Sequence, residues 1–228
     1  NQVFEVELGV KLQLAENSDS LIFLDAISDP FENTDIDVYN SPEVLRTHLG
    51  TDNFDIGHVL TTGAGGLAVV AATCDNDAYI EDGESYFPIK AMGVTGNEYP
   101  VTDSFYIDFV AHELGHQLGA EHTFNGQSQS CWGGNRMFLS AVEPGSGSTI
   151  MSYAGLCGEE NLQNSADDYF HVKSIEEITD YLTADPWQIG QSCGQTFVSI
   201  NSAPILDAGS DYTIPAQTPF TLTANATD

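Results

Sequence analysis

The sequence predicts a mixed α/β (α+β) fold: a twisted mixed sheet packed against helices, followed by the start of a β-sandwich module. Three observations carry this expectation. Short apolar stretches with strand-like character recur through the first hundred residues. A strongly patterned helix then runs to Leu118. After Cys193 the composition shifts to Pro, Thr and Ala with alternating apolar residues. With 228 residues and 41% hydrophobic content, the chain can build one ordinary domain core plus a fragment.

Val3, Phe4, Val6 and Leu8 read as the end of a preceding element. Val10, Leu12 and Leu14 alternate as in a strand, and Leu21 to Leu24 form a second apolar run. Residues 25–40 are rich in Asp, Asn and Pro and read as a surface loop. Ser41-Pro42-Glu43 predicts a helix start, a cap followed by proline at the first helical position, and Gly50 ends that helix. Phe54 to Thr61 reads as a strand. His58 within it has no partner at ligand spacing and is taken as structural. Gly63 to Gly66 lacks the lysine and threonine of a phosphate-binding loop and turns the chain into a strand over Leu67–Thr73. Asp75, Asp77, Glu81, Asp82 and Glu84 crowd the next loop. Their spacing does not match an EF-hand, so a solvated acidic loop is preferred over a Ca2+ site. Ile89 to Val94 reads as a further short strand.

The most informative stretch is His112-Glu-Leu-Gly-His116-Gln-Leu-Gly119-Ala-Glu-His122. Histidines four apart on a helix share one face, about 6 Å apart along the axis, and both imidazoles can reach one Zn2+ ion. Asp103 or Ser104 can cap this helix, and Ile107, Val110, Leu114 and Leu118 supply an apolar stripe. Gly119 stops it, and His122 returns as a third ligand. Three protein ligands leave a fourth position for water, the pattern of a catalytic rather than a structural zinc site. Glu113 is not needed as a ligand. A carboxylate there can take a proton from a metal-activated water and pass it to a leaving amine.

Downstream, residues 123–147 are polar and glycine-rich without period, and Cys131 can pin them. Met151 and Tyr153 follow in Ser-Thr-Ile-Met-Ser-Tyr, and Ala154 to His171 forms another loop. His171 is near no motif and is not taken as a ligand. Ser174-Ile175-Glu176-Glu177 reads as a capping box opening a helix with Ile175, Ile178 and Leu182 inward, stopped by Asp185-Pro186.

Five basic residues (Lys11, Arg46, Lys90, Arg136, Lys173) face 34 acidic ones, a net charge of −29. Nucleic acid and anionic membrane surfaces are poor partners for such a surface. No apolar run approaches the roughly 18 residues of a membrane span. The four cysteines, Cys74, Cys131, Cys157 and Cys193, form no Cys-x-x-Cys pair. Their even number suggests two disulfides in an exported protein, with three connectivities open, against free buried thiols.

The extended histidine motif with Met151 downstream resembles the metzincin zinc metallopeptidases. Thr123, after the third histidine, is not the aspartate of snake-venom adamalysins. Asn53 to Val59, Gly65-Gly66-Leu67-Ala68, Cys74 and Asp167 to His171 make the chain similar to the bacterial secreted reprolysin-like (adamalysin-like) metallopeptidases, over roughly residues 1–195. The resemblance implies a secreted, extracellular zinc metalloendopeptidase, acting as a monomer. Its catalytic domain would span 1–198, lacking a first strand and helix. Residues 199–228 would form a linker and the truncated start of an immunoglobulin-like or PKD-like module. It implies that Met151 is the Met-turn residue beneath the zinc. Tyr153 would be a fifth ligand or oxyanion donor, against an ordinary half-buried tyrosine. It favours Cys74 with Cys193 and Cys131 with Cys157. It also implies that Gly66, Leu67 and Ala68 lie in an edge strand that binds a protein or peptide substrate as an added strand. The competing reading is an adhesion or matrix-binding module that keeps zinc for structure only.

Overall fold

The computed structural model describes residues 1–63, 65–76, 88–184, 193–198 and 204–227. Two separate units result, Asn1–Gly194 and Gln195–Asp228.

Three short strands form the sheet of the first unit: β1 Val59–Thr61, β2 Gly65–Ala68 and β3 Gly93–Gly96. β1 runs parallel to β3, with Val59 opposite Val94. β2 runs antiparallel to β3, with Gly66 opposite Thr95 and Leu67 opposite Val94. The order β1-β3-β2 leaves β2 on an edge. Every residue of β3 is buried, as a central strand requires.

These strands are shorter than the apolar runs suggest. The expected strand at Leu67–Thr73 is instead β2, which starts two residues earlier and ends at Ala68. Beyond it the chain is fixed by Ala71, Ala72 and Thr73 donating to the carbonyls of His116 and Gln117. Ile89–Ala91 is a 3-10 turn, and only Gly93 onward pairs. In the Phe54–Thr61 run only the last three residues form a ladder. The alternation at Val10, Leu12 and Leu14 marks no strand: that segment is unpaired, Leu14 is 92% exposed, and Val10 and Leu12 pack on the core. Leu21 closes a 3-10 turn rather than opening a strand, and Leu24 is exposed. Residues 2–8, apolar on one side, form helix α1 (Gln2–Leu8), which buries Phe4 against Phe170 with ring centroids 5.6 Å apart.

Helix α2 (Asp37–Leu49) begins four residues before the proposed Ser41 cap. The Asp37 carboxylate accepts from the backbone N–H groups of Glu32 and Thr34, which turns the chain into the helix there. Pro42 therefore lies inside the helix, and the Ser41 hydroxyl is buried without a partner. Val38, Ser41, Pro42 and Leu45 form its buried stripe. Val38 meets Val59 and Val94 of the sheet, and Leu45 meets Phe54 and Ala91. Gly50 closes α2 as expected.

The histidine helix is composite. Phe105–Ala111 is a π-helical segment and His112–Gln117 is α3. Neither Asp103 nor Ser104 caps it; the Thr102 hydroxyl accepts from the Phe105 N–H at 3.3 Å, and Ser104 donates to Asp108 instead. The wider π turn shifts the phase, so Ile107 and Ala111, not Val110, join Leu114 and Leu118 in the core. Gly119 takes φ +109°, and a Cβ there would stand 2.9 Å from Tyr181 Cβ.

Helix α4 (Val172–Thr183) starts earlier than the expected capping box. His171 Nδ1 accepts from the Lys173 N–H at 3.0 Å, so the imidazole is the cap and Ser174 is buried inside the helix. Ile175, Ile178 and Leu182 face the core. Pro186, the expected stop, lies outside the described residues. Both disulfides pair as the resemblance favoured: Cys74–Cys193 and Cys131–Cys157, with Cα–Cα distances of 5.4 and 5.2 Å. The second unit contains strands β4 Ile205–Asp207 and β5 Asn225–Thr227, paired antiparallel.

Candidate metal centre

α3 delivers His112 and His116 from successive turns, and the sharp turn at Gly119 brings His122 back against them. His122 Nε2 lies 3.2 Å from His112 Nε2 and 3.0 Å from His116 Nε2. Zn–N bonds of about 2.0–2.1 Å in a tetrahedron place ligand nitrogens about 3.3 Å apart.

The opposite ring nitrogens fix the tautomers. Nδ1–H of His112 donates to the Ile150 carbonyl, that of His116 to the Ala120 carbonyl and that of His122 to the Asn135 carbonyl, each at 2.7 Å. Three unprotonated Nε2 lone pairs therefore converge on one point with no donor between them. That arrangement suits a cation and is unfavourable without one. Burial disfavours the charged form of all three, holding His122 at about 3 and His112 and His116 below the usual imidazole value. Among the described residues these three form the one group of metal-ligating side chains. A compact all-imidazole set of nitrogen donors fits zinc and does not suit calcium, which takes oxygen ligands. Of the acidic loop, Asp77, Glu81, Asp82 and Glu84 lie outside the described residues, and nothing else supports a calcium site.

Glu113 is buried next to His112, and its carboxylate has no hydrogen-bond partner among the described residues. It reaches the edge strand: a Cβ on Gly66 would fall 2.3 Å from Glu113 Oε1. Burial pushes the carboxyl up to about 8, and a divalent cation nearby acts in the opposite direction. Leu67 beside it is 41% exposed and Ala68 is partly buried, so the outer side of β2 is accessible. Met151 is fully buried, and its sulfur fills the space a side chain on Gly115 would occupy, 2.5 Å from that Cβ position. Gly115 lies between the two helical histidines, so the methionine supports the helix where they project. The Tyr153 ring stacks on Phe124 and meets His122, both with centroids at 4.5 Å. Burial, and then the Glu113 charge, push its phenol up to about 12.

Sequence reasoning did not find the anchoring carbonyls of Ile150, Ala120 and Asn135, because any residue type supplies a carbonyl. It also did not find His58's partners. His58 Nδ1 lies 2.7 Å from Gln117 Oε1 and its Nε2 lies 2.8 Å from Thr95 Oγ1, so it ties helix to sheet and is structural as expected.

Paired helical histidines, a third from the following turn, a buried glutamate and an accessible strand edge make up the fold and site of a zinc peptidase. The chain matches the reprolysin-like metallopeptidase family M12B over residues 1–181. It belongs to that family, and is a zinc metalloendopeptidase by class. A comparison with curated proteins gives no match.

Proposed function

We propose that the chain is a secreted endopeptidase in which His112, His116 and His122 hold one zinc ion and Glu113 is the general base and then the general acid. The observation that carries this reading is the close approach of Glu113, the residue after the ligand His112, to Gly66 of the edge strand. Zinc, when bound, supplies Lewis-acid activation of water and of the scissile carbonyl. Glu113 accepts a proton from the attacking water and delivers it to the departing amine nitrogen. In the stretch Gly66, Leu67 and Ala68, the outward N–H and C=O groups of Gly66 and Ala68 hold the substrate backbone as an added strand, while those of Leu67 face β3. The high phenol value suits Tyr153 to donating its O–H to a developing oxyanion rather than binding metal as a phenolate. Met151 supports the helix from below, and Gly119 turns the chain to His122.

Two disulfides support an extracellular location, and among the described residues no helix is long and apolar enough to cross a membrane. Residues 1–198 are proposed as the catalytic domain and 199–228 as the linker and opening strands of a β-sandwich module. A purely structural zinc site gives no use to a largely buried carboxyl at position 113 that has no hydrogen-bond partner among the described residues.

The test is cleavage of an unbiased peptide library by the zinc-loaded full chain beside Glu113→Ala. The expected result is cleavage at internal bonds, reduced at least about 10²-fold in the variant with zinc retained. A folded, zinc-loaded wild type that cuts nothing, or a variant that cuts as fast, overturns the proposal.

A further inference from the structure

The Glu143 side chain is buried in the long loop after the third histidine and has no contact with the zinc cleft among its hydrogen bonds. Its carboxylate accepts four of them. Oε1 takes the hydroxyls of Thr123, at 2.6 Å, and Thr149. Oε2 takes the backbone N–H groups of Ser148, at 2.8 Å, and Thr149, at 3.3 Å. The Glu143 backbone adds two more: its N–H donates to the Thr123 carbonyl and its carbonyl accepts from Asn125, both at 2.8 Å.

The donors come from two segments that each fix a metal-ligating imidazole. Thr123 directly follows His122. Ser148 and Thr149 lead into Ile150, whose carbonyl holds His112 Nδ1–H. The two segments also meet through the Thr123 N–H donating to the Met151 carbonyl at 3.1 Å and through the Tyr153 ring against Phe124 and His122. A carboxylate accepting four hydrogen bonds in a buried site fixes orientation more tightly than neutral contacts can. Thr123 itself carries no charge to grip the Ser148–Thr149 amides, and Glu143 brings the carboxylate from 20 residues further along the chain.

We propose that Glu143 is a positioning residue for the metal centre: it clamps the segment carrying His122 to the segment that anchors His112, and so sets the spacing of the histidine nitrogens. The inference rests on the zinc reading of the three histidines. Glu143→Ala frees both segments. Glu143→Gln keeps one oxygen for the two N–H donors, and the Thr123 and Thr149 hydroxyls can rotate to accept from its amide. Thr149→Val removes one hydroxyl donor and keeps the backbone N–H.

The test measures zinc affinity of the full chain by chelator competition, the visible spectrum of the cobalt-substituted protein, and stability of the metal-free protein by denaturant. Expected are zinc binding weakened about ten- to a hundredfold in Glu143→Ala, altered cobalt bands, and partial recovery of both in Glu143→Gln, which keeps the four contacts without the charge. Thr149→Val, which keeps most of the clamp, should be intermediate and serves if Glu143→Ala does not fold. Variants that lose stability but keep zinc affinity and the cobalt spectrum would show a merely structural role and overturn the proposal. A folded wild type that binds no zinc at the three histidines overturns the zinc reading, and this inference with it.

Discussion

Gly66→Ala should separate catalysis from folding. Gly66 has no left-handed backbone requirement, and alanine keeps the outward-facing N–H and C=O that a substrate strand would pair with. The added methyl carbon would stand 2.3 Å from Glu113 Oε1 and 2.7 Å from its Cδ and Cγ, where ordinary contact is 3.4–4 Å. The tip of Glu113 must therefore retreat by about 1 Å. Cγ must move as well, so the side chain shifts off its present rotamer, and stability should fall by about 1 kcal/mol. A catalytic group displaced by about 1 Å costs about 10²-fold in rate, or roughly 2.7 kcal/mol in the barrier. The three atoms nearest the new methyl all belong to Glu113, so zinc content should not change. The assay is kcat/KM on a cleaved peptide, with metal analysis and a thermal melt on the same samples. A variant that keeps its zinc and works within about threefold of wild type would refute the placement of Glu113 against the substrate strand.

Two further outcomes are expected. Burial holds His58 at about 4 against an ordinary 6.5, so the folded state resists a proton that the unfolded state takes up. Stability should therefore fall as pH drops from about 6.5 to about 4, by up to about 3 kcal/mol from this residue. Denaturant titrations of wild type and His58→Gln across that range should show the difference between them shrinking by that amount; parallel curves would exclude the assignment. Replacing Cys131 and Cys157 together by serine opens a loop with a sequence separation of 26, which the chain-entropy model values at about 3.5 kcal/mol. Zinc affinity should fall with it, because Asn135 in that loop holds His122. An unchanged denaturation midpoint would count against the first effect, and an unchanged zinc affinity in chelator competition against the second.

The histidine centre was legible because its chemistry demands particular residue types at fixed spacings. His112, His116 and His122 meet as the spacing required, and Gly119 turns the chain where only glycine turns easily. Strand limits were not legible, because apolar runs report burial and not pairing. Val10 and Leu12 contribute to the core without a ladder, and the strand expected at 67–73 ends at Ala68 because the next residues bond to the helix end. The starts of α2 and α4 were misread for one reason. Both carried familiar cap sequences at Ser41 and Ser174, but the chain enters α2 through a local turn held by the Asp37 carboxylate, and the His171 ring caps α4. Glu143 was invisible: a lone acid in an aperiodic loop gives no sign that four donors surround it.

The exposed edge of β2 has a consequence for the protein in solution. An edge proposed to pair with a substrate backbone is equally suited to pair with the edge of another copy. Here it is only four residues long and begins with two glycines, which gives an intruding strand few side chains to grip. The net charge of −29 adds a long-range repulsion between identical molecules that basic or neutral peptides do not meet. Raising ionic strength shortens that repulsion to about 3 Å at 1 M salt. Concentrated salt should therefore be the condition under which self-association competes with substrate for the same strand.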